Sequence, residues 1–105
     1  MFSVGRIGDL AFLFILRRDF ADALQSVNQV IRLAPDEVWL YTNQAHALMF
    51  LGRHDEARAI YLRYRDEADV LHKRWDIVIL EDFAELRKAG LVSPLMDEIT
   101  KRLAP

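Results

Sequence analysis

The chain has 105 residues, the length of one ordinary domain. With 52% hydrophobic and 29% charged residues it holds enough apolar material for a core, which argues against disorder. The 14 basic residues nearly balance the 16 acidic ones, so the strong positive field of a general nucleic-acid binder is missing. The absence of cysteine excludes disulfides and thiolate chemistry, and it fits a reducing compartment, which we expect to be the cytoplasm.

Helix signals follow one another from the N-terminus, with short turns between them. A first helix is predicted over about residues 4–17, and Asp19 is a candidate N-cap for a second helix. Pro35 breaks this second helix near residue 33. Asp36 is then predicted to cap a third helix that ends at Gly52, because glycine suits the left-handed position after a helix.

Three further helices are predicted in the second half of the chain. The fourth covers about residues 54–65 and the fifth about residues 73–89. Ser93 and Pro94 read as an N-cap followed by proline at the first helical position, and they open a last helix to about Leu103. Six helices joined by short turns predict an all-α fold of antiparallel neighbours.

The chain also repeats itself. Ala11 and Ala45 are 34 residues apart, and so are Ala23 and Ala57. Larger or acidic residues recur at the same offset: Phe14 with Leu48, Val27 with Tyr61, Val30 with Tyr64, and Asp22 with Glu56. Helices approach closely only where small residues lie at their crossing, so the recurring alanines are predicted crossing points. A period near 34 with two helices per unit is typical of tetratricopeptide repeats.

The sequence resembles the tetratricopeptide-repeat family over nearly its whole length, most clearly from Trp39 to Tyr64, where Gly52 occupies the turn glycine. In the first unit Arg18 replaces that glycine, and a third unit that begins at Trp75 departs from the pattern as a capping unit does. The resemblance implies a single domain (residues 1–105) built as a short right-handed α-solenoid. Its units are expected at about residues 4–37, 38–71 and 72–105.

In this family the first helix of each hairpin lines a concave face. The resemblance therefore places these residues on a partner-binding groove: Phe12, Ile15, Leu16, Trp39, Asn43, His46, Met49, Phe50, Lys73, Asp76, Leu80 and Phe83. Such a surface suits the apolar side of a helix or an extended peptide, although it would equally serve as extra core in a longer assembly. Only Asn43 and Lys73 match the polar ring with which some members grip a C-terminal carboxylate, so that mode is not expected.

The run from Leu10 to Leu16 is apolar on every face of its helix. It is about a third of the length that a membrane span needs, and Arg17 follows it, so neither a membrane span nor an export signal is expected. A helix of this kind is normally buried on all sides. A longer parent protein, a partner or a second copy would bury it, and our hypothesis is homo-oligomerisation with a contribution from Phe2.

Sequence motifs that would indicate phosphate binding, metal binding or catalysis are weak. Gly5 to Gly8 lacks the lysine of a phosphate loop, and the pair Asp69 and His72 is one copy of a metal motif that needs two. The carboxylates Glu81, Asp82 and Glu85 alternate with basic residues, as on a solvated helix face. We therefore expect no catalytic site, metal or cofactor. The predicted function is a non-catalytic scaffold that binds another protein or peptide, and the alternative is a structural homo-oligomerisation module or the C-terminal cap of a longer repeat protein.

Overall fold

The computed structural model describes residues 4–68, 70 and 73–104, and for residues 4–9 it describes the backbone alone. Six α-helices lie in this part of the chain: α1 (Val4–Leu16), α2 (Phe20–Leu33), α3 (Leu40–Phe50), α4 (His54–Arg63), α5 (Trp75–Lys88) and α6 (Pro94–Leu103). The predicted all-α fold is confirmed. Phe2, Asp69 and His72, which the sequence analysis singled out, lie outside the described residues.

The helices pack as three hairpins, α1 with α2, α3 with α4, and α5 with α6, and α2 also packs against α3. The four repeating alanines, Ala11, Ala23, Ala45 and Ala57, are all fully buried. Their small side chains let the helix backbones approach closely, while larger apolar residues such as Tyr61 fill the space beside each crossing. The packing role predicted for the recurring alanines is confirmed.

Three helices end in the same kind of turn. After α1, Arg18 has a left-handed φ of 67°, and the N–H of Asp19 donates to the carbonyl of Phe14 at 2.9 Å. Gly52 after α3 and Gly90 after α5 hold the same position with φ of 82° and 80°, and equivalent backbone bonds close both turns. The repeat therefore forces the left-handed conformation on Arg18, although no glycine is available there.

One predicted N-cap has the right position but makes no capping bond, and another is wrong. Asp19 does precede α2, but its carboxylate makes no capping bond and lies 3.6 Å from the Arg17 guanidinium instead. Asp36 does not open α3, because the chain makes turns over residues 35–39 and α3 starts only at Leu40, whose N–H donates to the Glu37 carbonyl at 3.1 Å.

The third hairpin is anchored on the second by polar contacts. Trp75 is fully buried at the start of α5, and its Nε1–H donates to the Tyr61 carbonyl at 2.8 Å. Arg58 of α4 donates to both carboxylate oxygens of Glu98 of α6, at 2.6 and 3.1 Å, and these bonds hold the pKa of Glu98 below its usual value. Ser93 accepts a backbone N–H at 3.3 Å, so its predicted cap of α6 is confirmed.

Helix α3 lies at the centre of the fold. It has buried residues on every face, and three of them are polar: Thr42, Asn43 and His46. Within the described part of the chain, no buried side-chain nitrogen or oxygen is without a hydrogen-bond partner. The central helix is thus held by directional polar contacts as well as by apolar packing.

Candidate functional site

The first helices of the three hairpins, α1, α3 and α5, surround a pocket of about 360 Å3. Eight residues line this pocket, which we call the groove: Phe12 and Leu13 from α1, Trp39 directly before α3, Thr42 and Asn43 from the start of α3, and Val78, Asp82 and Glu85 from α5. All eight lining residues lie on the first helices of the hairpins or directly before one of them.

One side of the groove is apolar and partly open. Leu13 is 54% exposed, and Phe12 and Trp39 are half-buried. The Trp39 indole N–H donates to Glu37 at 3.2 Å, and the Trp39 carbonyl accepts the Thr42 hydroxyl at 2.7 Å. The Trp39 indole is thus held by a hydrogen bond, while part of the surface of Phe12, Leu13 and Trp39 stays exposed to solvent.

The opposite side of the groove carries negative charge. Asp82 and Glu85 lie one turn apart on α5, and no Lys or Arg is present among the described lining residues. Asp82 is 26% exposed and accepts a hydrogen bond from His46 at 2.9 Å. Glu85 is 62% exposed, and the Lys88 ammonium lies 3.5 Å from its carboxylate. Both carboxylates therefore reach the groove with capacity for a further donor.

A chain of three hydrogen-bonded side chains lies beneath the side of the groove that carries Asp82 and Glu85, which we call the acidic wall. The fully buried ring of His46 contacts the Tyr61 hydroxyl through Nδ1 at 2.6 Å and the Asp82 carboxylate through Nε2 at 2.9 Å. Since a carboxylate only accepts, we assign the proton to Nε2, and Nδ1 then accepts from the phenol. Burial, and to a lesser extent the Asp82 charge, raises the pKa of Tyr61 well above its usual value, so the phenol keeps its proton.

The residues predicted for the groove divide into two main groups. Phe12, Trp39 and Asn43 line it. His46 and Phe83 are fully buried and touch each other, with ring centroids 5.8 Å apart, and Ile15 and Met49 are buried in the core. These four support the groove from the interior and are not among the residues that line it.

The other predicted residues lie outside the lining. Phe50 stacks on Phe20 with ring centroids 5.1 Å apart, and Leu16 is half-buried. The exposed Lys73 ammonium is paired with Glu81 at 2.8 Å. Leu80 is 37% exposed, and Asp76 accepts from Arg74 at 3.2 Å.

Sequence reasoning missed Leu13, Thr42, Val78, Asp82 and Glu85. On α5 the residues predicted for the groove lie on a different side of the helix from the residues that line it. Its fully buried stripe is Trp75, Ile79, Phe83 and Leu86, with Val78, 6% exposed, at the edge, and the Trp75 indole N–H donates to the Tyr61 carbonyl. Residues 78, 82 and 85 lie on one flank of that stripe and Leu80 on the other. The spacing of the fully buried residues, four, four and three apart, indicates which face of α5 is buried, but no feature of the sequence indicates that its acidic flank borders a pocket.

A family model described as tetratricopeptide repeat matches residues 14–75, more than half of the chain. The chain belongs to the tetratricopeptide-repeat family. The match extends from the end of α1 to Trp75, so it contains the complete α3–α4 hairpin and stops where the departing third unit begins. A search of curated proteins and a search of solved structures each gave no significant match.

Tetratricopeptide repeats generally mediate protein–protein interactions, and the family is typically a non-catalytic scaffold. The described residues contain no group of three or more His, Cys, Asp or Glu side chains that could hold a metal ion. None of the helices in that same part of the chain has the length and apolar character needed to cross a membrane.

Proposed function

We propose that this tetratricopeptide-repeat domain binds a peptide or helical segment of another protein in the groove between α1, α3 and α5. The observation that carries the proposal is the open pocket of about 360 Å3 with Leu13 and Trp39 in its wall. A volume of this size lies at the lower end of the range of ligand-binding pockets, roughly 300–1,000 Å3. A few anchor residues seated in well-packed pockets, Trp, Tyr and Arg above all, supply most of the affinity in many interfaces.

The packing beneath the groove supports a preformed site. His46 of α3 is bonded to Tyr61 of α4 and Asp82 of α5, so three helices are tied together below the lining. The ring of Phe12 meets that of His46 edge-on at 6.3 Å, which adds α1 to the same cluster. A groove held in this way loses little conformational entropy when a partner binds.

The test uses peptides selected from a random linear library on the wild-type domain, with affinity followed by titration calorimetry. Leu13→Asn and Trp39→Ala should each weaken binding about tenfold, because both remove apolar contact area in the groove. Leu33→Asn is the matched control, since Leu33 is an 84% exposed leucine on α2 outside the groove. Circular dichroism melts establish that each variant is folded.

Two results would contradict the proposal. Selected peptides that bind the Leu13 and Trp39 variants as tightly as the wild type would have a site elsewhere. An equal loss of affinity in Leu33→Asn would point to a general effect of the substitution and not to the groove.

A second candidate function is homo-oligomerisation through α1. Leu10 and Leu13 are 45% and 54% exposed and lie one turn apart, so they form an apolar stripe on this helix. A second copy would bury this stripe, and a preceding hairpin of a longer array would cover the same surface. Light scattering over a wide concentration range should then show a mass above 12.2 kDa that falls in Leu10→Lys. A constant monomer mass would rule out self-association.

A further inference from the structure

We propose that the segment bound in the groove presents a positively charged side chain, arginine in preference to lysine, to the carboxylates of Asp82 and Glu85. Apolar residues next to this cation would pack on Leu13 and the aromatic rings of the opposite wall. The inference rests on the proposed peptide-binding function and specifies the chemistry of the partner.

Asp82 and Glu85 give the groove a negative charge that a cationic side chain of the partner would complement. The two carboxylates lie three residues apart on α5, which brings their Cβ atoms to about 5–6 Å, and like charges at this spacing repel each other. Among the described lining residues no basic side chain offsets them. The Lys88 ammonium reaches Glu85 only at 3.5 Å, and both side chains are largely exposed, so this pair is easily replaced. A cation from the partner would relieve the repulsion.

The Asp82 carboxylate is a hydrogen-bond acceptor that His46 holds in a fixed position. His46 donates to one oxygen of the carboxylate at 2.9 Å, and the His46 ring is itself held by the Tyr61 hydroxyl at 2.6 Å. The carboxylate is therefore positioned before the partner arrives, and it keeps further lone pairs for an incoming donor. A ligand cation at this place gains a hydrogen bond without having to order the acceptor.

The aromatic residues of the groove, Phe12 and Trp39, favour arginine over lysine in the bound segment. The rings of Phe12 and Trp39 line the same pocket as the two carboxylates. A guanidinium group is planar, stacks on aromatic faces and offers five donors, so it can reach two carboxylates while it packs against a ring. An ammonium group is more strongly hydrated and loses more on entering such a site. The preferred segment is therefore an apolar sequence interrupted by arginine.

The experiment compares peptides and variants in pairs. Peptides selected on the wild-type domain from the random library are resynthesised with citrulline, the uncharged near-isostere, in place of arginine. We expect arginine to be enriched at one position and the citrulline form to bind about three- to tenfold more weakly. Glu85→Gln should weaken the arginine peptide similarly and should reduce the difference between the two peptides.

Glu81→Gln is the matched control. Glu81 lies on the same helix, removes the same charge when substituted, and is paired with Lys73 outside the groove. It should leave both affinities unchanged. Peptides that need Leu13 and Trp39 but show no enrichment of basic residues, or that bind equally well with citrulline, would overturn this inference and leave the proposed function standing. Peptides that ignore the substitutions at Leu13 and Trp39 would overturn both.

Discussion

Arg18 occupies a backbone position that glycine fills at the two equivalent turns of the chain. Its φ is 67°, against 82° at Gly52 and 80° at Gly90, and all three turns are closed by the same backbone hydrogen bonds. A residue with a Cβ atom is strained in this region, because the Cβ approaches the following carbonyl oxygen. Arg18→Gly should therefore stabilise the fold.

The size of the effect follows from two opposing contributions. The left-handed conformation costs a residue with a Cβ atom about 1–2 kcal/mol. Glycine offsets about 0.5–1 kcal/mol of this gain, because its unfolded chain has more conformational freedom to lose. The expected net gain is about 0.5–1 kcal/mol, which corresponds to a rise in Tm of roughly 2–8 °C for a domain of this size.

The Arg18 side chain also has a contact that must be separated from the backbone effect. A Cβ added at Gly90 would lie 3.6 Å from the Arg18 Nη2, so the guanidinium lies close to that turn. Arg18→Ala removes the guanidinium but keeps the Cβ, and it is therefore the reference. The free energy of unfolding in urea, followed by circular dichroism, should be higher for Arg18→Gly than for Arg18→Ala.

The reverse substitution provides an independent check. A Cβ added at Gly52 meets no atom within 4 Å, so the cost of Gly52→Ala comes from the backbone alone, about 0.5–1 kcal/mol. Backbone strain at Arg18 is contradicted if Arg18→Gly is no more stable than Arg18→Ala, or if Gly52→Ala unfolds at the same urea concentration as the wild type.

Other predictions concern the core and a helix cap. Ala57→Leu should lower the free energy of unfolding by about 1–3 kcal/mol, because a larger side chain overpacks the helix crossing. Ala59→Leu, on the exposed side of α4, should not lower it. Equal urea midpoints for the two variants would contradict the position of Ala57 at a close helix crossing. Tyr61→Phe leaves the buried His46 Nδ1 without its donor and should cost about 1–3 kcal/mol. Because folded Tyr61 keeps its proton after the unfolded chain has released it, stability falls above about pH 10, and melts of Tyr61→Phe should show a shallower alkaline decline. Ser93→Ala should lower the free energy of unfolding in thermal melts by about 1 kcal/mol, and an unchanged melt would mean that the cap contributes nothing.

The linear sequence determined the hairpins and their turns. Fully buried Ala45 and Ala57 each repeat an alanine 34 residues earlier, because a close helix crossing tolerates only small side chains. Gly52 marked the end of α3 for an equally local reason, its left-handed φ. The Ser93 cap of α6 depends on neighbours within two residues. Features of this kind are set by short-range sterics and by a repeated local geometry, so sequence alone was sufficient.

Tertiary structure decided which helix faces meet in the groove. Helix α3 is buried all round, so its hydrophobic pattern has no phase that could point to a neighbour. On α5 the rotation is set by Trp75 reaching the Tyr61 carbonyl, and this turns Asp82 toward His46, 36 residues away in the chain. Periodicity describes the faces of one helix, but the partner of each face depends on the shapes and hydrogen-bond needs of distant residues. The acidic wall of the groove is therefore a product of packing, and the sequence showed it only as charges on a helix.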